Sequence, residues 1–204
     1  LEKLFLYFGY SKRDHYIFKD KKLSAYWYSP PNTIPNLPRV FISQLDVAEF
    51  SNPVQDCIKK YTAALQSDPV SLIDLSDGYA VDHFLHSPLW ECPTWEDYCF
   101  LKKHSQYAAW VIYNRYYLNH FTITINTLLR CQTMVDYVAF LKQLGISLNQ
   151  SGGVIKVSKD GLLIQSSTVA QDISAPFKTA EGHTEMHLIP GSYVEFAERK
   201  AGRD

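Results

Sequence analysis

The sequence lacks most of the features that reveal a chemistry at first sight. Its nine glycines form no phosphate-cradling run, and no Gly-x-Ser-x-Gly elbow occurs. Neither sign of charge dominates, since 20 Lys and Arg stand against 21 Asp and Glu for a net charge of −1. That excludes a basic face for nucleic acid and a polybasic run for anionic membrane, so neither partner is expected. The apolar runs are far short of a membrane span, and no charged-then-apolar leader opens the chain. Cysteine is scarce. Cys57, Cys92, Cys99 and Cys131 make no C-x-x-C pair, which points to free thiols in a reducing cytoplasm rather than to disulfides.

What is present is a 46% hydrophobic chain of 204 residues, enough for one ordinary core, with 14 tyrosines suited to a roomy, partly polar interior. "LEKLFLYFGY" has helical spacing and stops at Gly9. "HYIFK", "KLSAYWYS" and "RVFISQL" read as strands, with the proline-rich "PPNTIPNLP" between the last two. Ser51 and Pro53 open a helix with Val54, Ile58, Tyr61 and Leu65 on one face. Residues 67–93 are expected to be irregular. Thr94, with Asp97 three residues on, caps a single long helix running to about Tyr117.

"LNHFTITINTL" then reads as a strand, and Thr133 with Asp136 starts a helix that ends at Gly145 with Val135, Val138, Leu141 and Leu144 inward. "GGVIKVSKDGLLIQSSTVA" forms two strands about Lys159-Asp160-Gly161, and "GSYVEFAERK" is the last strand. The two ends repeat an order: helix, glycine, strand, turn, strand, strand, with Gly9 matching Gly145, Asp20 matching Asp160 and Leu23 matching Leu162. The expected fold class is therefore α+β, with paired β-α-β-β-β units whose curved mixed sheets form a half-barrel cavity, and extra helices between them. Residues 1–50 form a first unit without its opening strand, 51–117 a helical connector and 118–204 a second unit, all within one compact domain. A strand upstream of Leu1 in a longer protein would complete the first unit.

Alternation along the strands selects the candidate site. Phe121, Ile123 and Ile125 point one way, and His120, Thr122, Thr124 and Asn126 the other. In the last strand Val194 and Phe196 oppose Tyr193, Glu195 and Ala197. His120 and Glu195 would meet inside a curled sheet, and an imidazole with a carboxylate is part of the two-His, one-carboxylate set used for divalent iron. Read on its own, a single His on a polar strand face is more often a hydrogen-bonded or surface residue than a ligand, and one Glu in a last strand is more often solvated.

"YAAWVIY", "NHFTITIN", "NQSGG", "GLLIQSST" and "YVEFAERK", in this order, resemble the 2-oxoadipate dioxygenase/decarboxylase family of the vicinal-oxygen-chelate superfamily. The likeness spans nearly the whole chain. It implies an iron(II) cofactor held by two His and one Glu, and oxidative decarboxylation of a 2-oxo acid with O2 to a 2-hydroxy acid and carbon dioxide. It makes His120 and Glu195 metal ligands. The other His and a substrate-binding Arg of the family pattern have no counterpart in this sequence; they are expected upstream of Leu1. Thr122, Asn126, Gln165 and Ser166 are candidates to orient the ligands, and Arg199, four residues after Glu195, is a candidate to meet a substrate carboxylate. Two alternatives stay open: another reaction of the superfamily, a glyoxalase-type isomerisation or a hydrolysis, and a binding module without its metal.

Two other histidine pairs are set aside. "DHFLH", with His83 and His86, is expected in a loop ahead of Pro88. "HTEMH", with His183, Glu185 and His187, is expected as a polar loop before the last strand, although an extended segment would place all three on one face.

Overall fold

Gly9 takes φ +82° directly after the first helix, α1 (Glu2–Tyr7), a left-handed turn that glycine adopts without strain. The structure, a computed structural model, describes residues 1–202. It divides into two compact units, Leu1–Tyr117 with Pro176–Glu185, and Leu118–Ala175 with Met186–Asp204.

In the first unit, β1 (Ser11–Phe18), β2 (Leu23–Ser29) and β3 (Val40–Leu45) form an antiparallel meander in that order. Leu23, Ala25 and Tyr28 bury the central strand. Helix α2 (Asn52–Thr62) carries a proline in its first turn and buries Val54, Ile58 and Tyr61, as its spacing requires. Leu65 lies beyond its end.

Two expectations fail here. Residues 67–93 are not irregular throughout, because Gly78–His86 forms helix α3, with Asp77 accepting the Tyr79 N–H at 2.9 Å. Val81 of that helix packs with Leu4 and Val70, flanked by Phe84 and Leu85. The apolar spacing i, i+3, i+4 outweighs Gly78, which sits at the helix start where its flexibility costs little. The long helix after Thr94 is two: α4 (Trp95–His104) and α5 (Gln106–Asn114). Ser105 between them is extended at φ −161° and caps the second by accepting the Ala108 N–H at 3.2 Å. Phe177, fully buried, packs in this unit against Trp95, Tyr98 and Tyr113.

The second unit opens with β4 (His120–Thr124), shorter than expected because Ile125–Thr127 turns into a single 3-10 turn. Helix α6 (Met134–Gln143) begins on Thr133, whose hydroxyl accepts the Asp136 N–H and donates to the Asp136 carboxylate at 2.6 Å. Its inward residues are Met134, Val138 and Leu141, while Val135 and Leu144 are exposed at 68% and 60%. With Ile125, Leu148 and Phe196 they make the core of this unit. Gly145 ends the helix at φ +73°.

The strands β5 (Lys156–Val157), β6 (Leu163–Ser167) and β9 (Tyr193–Arg199) join β4 in the order β4-β9-β6-β5. The β4–β9 pair is parallel and the others antiparallel. Between β6 and β9 the chain makes a hairpin of β7 (Asp172–Lys178) and β8 (Thr184–Pro190). "HTEMH" therefore lies largely in a strand and not in a polar loop. At the sheet edge, the apolar side of β4 stays partly open, with Phe121 67% exposed and Ile123 38%.

Candidate metal centre

The parallel pairing of β4 and β9 sets Thr122 opposite Glu195 and His120 opposite Tyr193. Residues directly opposite share a face, so His120, Thr122, Thr124, Tyr193, Glu195 and Ala197 line one side of the sheet. The antiparallel partner β6 adds Gln165, opposite Ala197, and Ser167, opposite Glu195. Phe196, Val194 and Ile164 go to the other side and pack against α6.

On that lined side His120 Nε2 stands 3.8 Å from Glu195 Oε2, with side-chain exposures of 30% and 21%. Each partner is held by its neighbours. His120 Nδ1 is 2.7 Å from Asn119 Oδ1, and the imidazole lies on the Tyr193 ring, centroids 4.6 Å apart at 18°. The other carboxylate oxygen of Glu195, Oε1, accepts from the Gln165 amide and from Thr122 Oγ1 at 3.5 Å. Burial pushes the imidazole pKa down and the Glu195 charge pulls it up; burial wins, so the ring is neutral at physiological pH.

A neutral imidazole nitrogen facing a carboxylate oxygen is a donor set for a divalent cation. With bonds of about 2.0–2.2 Å, one ion spans two donors this far apart. Among the described residues no group of three or more His, Cys, Asp and Glu gathers to hold a metal, so these two make a partial set.

The other sequence candidates separate clearly. Gln165 and Thr122 touch Glu195 directly. Ser166 pairs opposite Phe196 on the helix-packed side and is 3% exposed, so the pleat takes it away from Glu195. Asn126 sits in the 3-10 turn, outside the strand whose alternation selected it. Its Oδ1 accepts the Arg199 N–H at 2.7 Å and so ties β9 to the end of β4. The Arg199 guanidinium donates to Thr124 Oγ1 at 2.8 Å, four residues beyond Glu195 on the same side. Asn119, Tyr193 and Thr124 were not selected as site residues by sequence reasoning. Only the strand register shows that Tyr193 lies under His120; for Asn119 the available signal was an amide next to the histidine in "NHFT".

The sequence matches the family model described as 2-oxoadipate dioxygenase/decarboxylase over residues 1–203. The chain belongs to the 2-oxoadipate dioxygenase/decarboxylase family. A member from Arabidopsis thaliana, named 2-oxoadipate dioxygenase/decarboxylase, chloroplastic, is 43% identical over 210 residues, covering 98% of this chain and 53% of the relative. The chain spans about half the length of the curated relatives it matches. A crystal structure of hydroxyglutarate synthase from Oryza sativa in complex with 2-oxoadipate superposes with a TM-score of 0.80 at 35% identity, over 100% of this chain and 71% of that one. A protein of Ralstonia eutropha JMP134 placed in the glyoxalase superfamily superposes at TM-score 0.76 and 19% identity, over 96% of this chain and 63% of that one, and shares the fold. The chain thus shares with these structures an α+β fold of mixed helices and open sheets, of the glyoxalase type. Among the described residues no helix is long and apolar enough to cross a membrane.

Proposed function

We propose that the protein is an iron(II)-dependent dioxygenase that decarboxylates a 2-oxo dicarboxylic acid resembling 2-oxoadipate, with O2, to a 2-hydroxy acid and carbon dioxide. The observation that carries this reading is the facing of His120 Nε2 and Glu195 Oε2 at 3.8 Å on adjacent strands, in a chain of this family. The rice structure with bound 2-oxoadipate supplies the substrate class. His120 and Glu195 would hold the metal, and a further histidine outside these residues would complete the two-His, one-carboxylate set.

Bound iron(II) would relay electrons from the 2-oxo acid, whose own oxidation furnishes them, to dioxygen, and would offer the acid a Lewis-acidic pole. The chain's own residues orient and bind. Gln165 and Thr122 fix one oxygen of Glu195 and so aim the other. Arg199, steadied by Thr124, takes the second carboxylate of the substrate through its planar fork. The four free cysteines support a reducing compartment, which we read as the cytoplasm; the plant relative named chloroplastic offers the plastid as the other such place.

The test uses the full-length protein, loaded anaerobically. His120→Ala and Glu195→Ala should each abolish iron retention, and with it oxygen uptake on 2-oxoadipate. Turnover that persists in either variant, or that continues without oxygen, removes the assignment.

A further inference from the structure

We infer that Asn119 is a positioning residue that sets the tautomer of His120, holding the proton on Nδ1 and presenting a bare Nε2 to the Glu195 side. The inference rests on reading the His120–Glu195 pair as a cation site. An amide oxygen accepts and cannot donate, so the 2.7 Å contact between Nδ1 and Asn119 Oδ1 requires an N–H on Nδ1. A neutral imidazole has only one such proton, which leaves Nε2 with its lone pair.

The opposite side of the ring agrees. An Nε2–H beside a carboxylate would draw it to about 2.7–2.9 Å. The observed 3.8 Å is longer than a hydrogen bond, and the Glu195 oxygens are aimed by other donors: Oε1 accepts from Gln165 and Thr122, while Oε2 is left facing the ring. Two lone pairs pointing at one gap repel unless a cation lies between them. Tyr193, stacked on the imidazole, fixes the plane of the ring. Asn119, Tyr193, Gln165 and Thr122 thus act in two pairs, one fixing the nitrogen and the other the oxygen. Asn119 is the member whose loss changes the chemical identity of the ligand atom and not merely its direction.

The test is direct observation of the tautomer. In metal-free, full-length protein with 15N-labelled histidine, at about pH 8 where the ring is neutral, long-range 1H–15N spectra identify which ring nitrogen lacks a proton. The expected result is an unprotonated Nε2 in the wild type and in Asn119→Asp, which keeps an acceptor. In Asn119→Leu, which keeps the bulk and removes the acceptor, the proton moves to Nε2, and anaerobic iron(II) affinity falls by about 10–100-fold. A wild-type His120 protonated on Nε2 overturns the inference even if no variant folds. An unchanged tautomer in Asn119→Leu overturns it as well. A switched tautomer with unchanged iron affinity leaves Asn119 in its role and instead removes the pair from the metal site.

Discussion

Gln165 and Ser166 are neighbours in the chain and strangers in the fold. Both were legible as candidates from the sequence, but only the pleat decides between them. Gln165 reaches Glu195, whereas Ser166 is buried against the helix side. Substituting Gln165→Leu removes one of the two donors on Glu195 Oε1, and iron affinity should fall by about 10–100-fold with little change in melting temperature; Ser166→Ala should leave that affinity unaltered. Isothermal titration of the two variants under anaerobic conditions checks both. Alternation assigned His120 and Glu195 their faces, and the family resemblance singled them out as a pair. Tyr193 under the imidazole was not legible, since stacking depends on the register of two strands far apart in sequence. Cys57 supplies a separate test. Burial first, and then the neighbouring Asp97 charge, push its thiol up to about 11. The thiolate is the reactive form, so in native protein at about pH 8 Cys57 should resist iodoacetamide and become modified only on unfolding, as read by peptide mass spectrometry.

Among the elements, α2 and α4 are clamped by one carboxylate. Asp97 accepts from Lys60 at 2.6 Å and from the Tyr61 hydroxyl, and that same hydroxyl accepts the Thr94 N–H at 3.1 Å. Burial alone would raise the Asp97 pKa, and the hydrogen bonds from Lys60 and Tyr61 outweigh it, so the carboxyl is held below its ordinary value. A carboxyl whose folded pKa lies below its unfolded one stabilises the fold at neutral pH, and this contribution is lost as pH falls below about 4. Asp97→Asn should therefore lower the melting temperature by a few degrees at about pH 7 and by less at about pH 3. Tyr61→Phe strands the Thr94 N–H and should cost about 1–3 kcal/mol in urea unfolding. The strands and the amphipathic α2 were legible because their periods are clean. The split of α4 from α5 was not, because Ser105 interrupts an otherwise helical run by capping the next helix, a competition between local hydrogen bonds that apolar spacing does not record. Ser105→Ala should cost about 1 kcal/mol, measurable in the same denaturation experiment.

For the whole molecule, the repeat was legible in two glycines. Gly9 and Gly145 both end helices in the left-handed region, at φ +82° and +73°. The hairpin of β7 and β8 was not legible, because in "TEMHLIP" the alternation is inverted, with Met186 and Leu188 exposed and the polar Glu185 and His187 on the more buried side, and a proline lies inside "DISAPFK". The parallel seam between β4 and β9 has a bearing on biosynthesis. Hairpins close as soon as both arms leave the ribosome, but this seam must wait for a strand translated long after His120 has emerged. Under the proposed function, a nascent polypeptide would have no grip for iron until Glu195 arrives and docks. Loading would then be deferred to a molecule already folded, and a redox-active ion would be kept away from an unshielded, half-made chain.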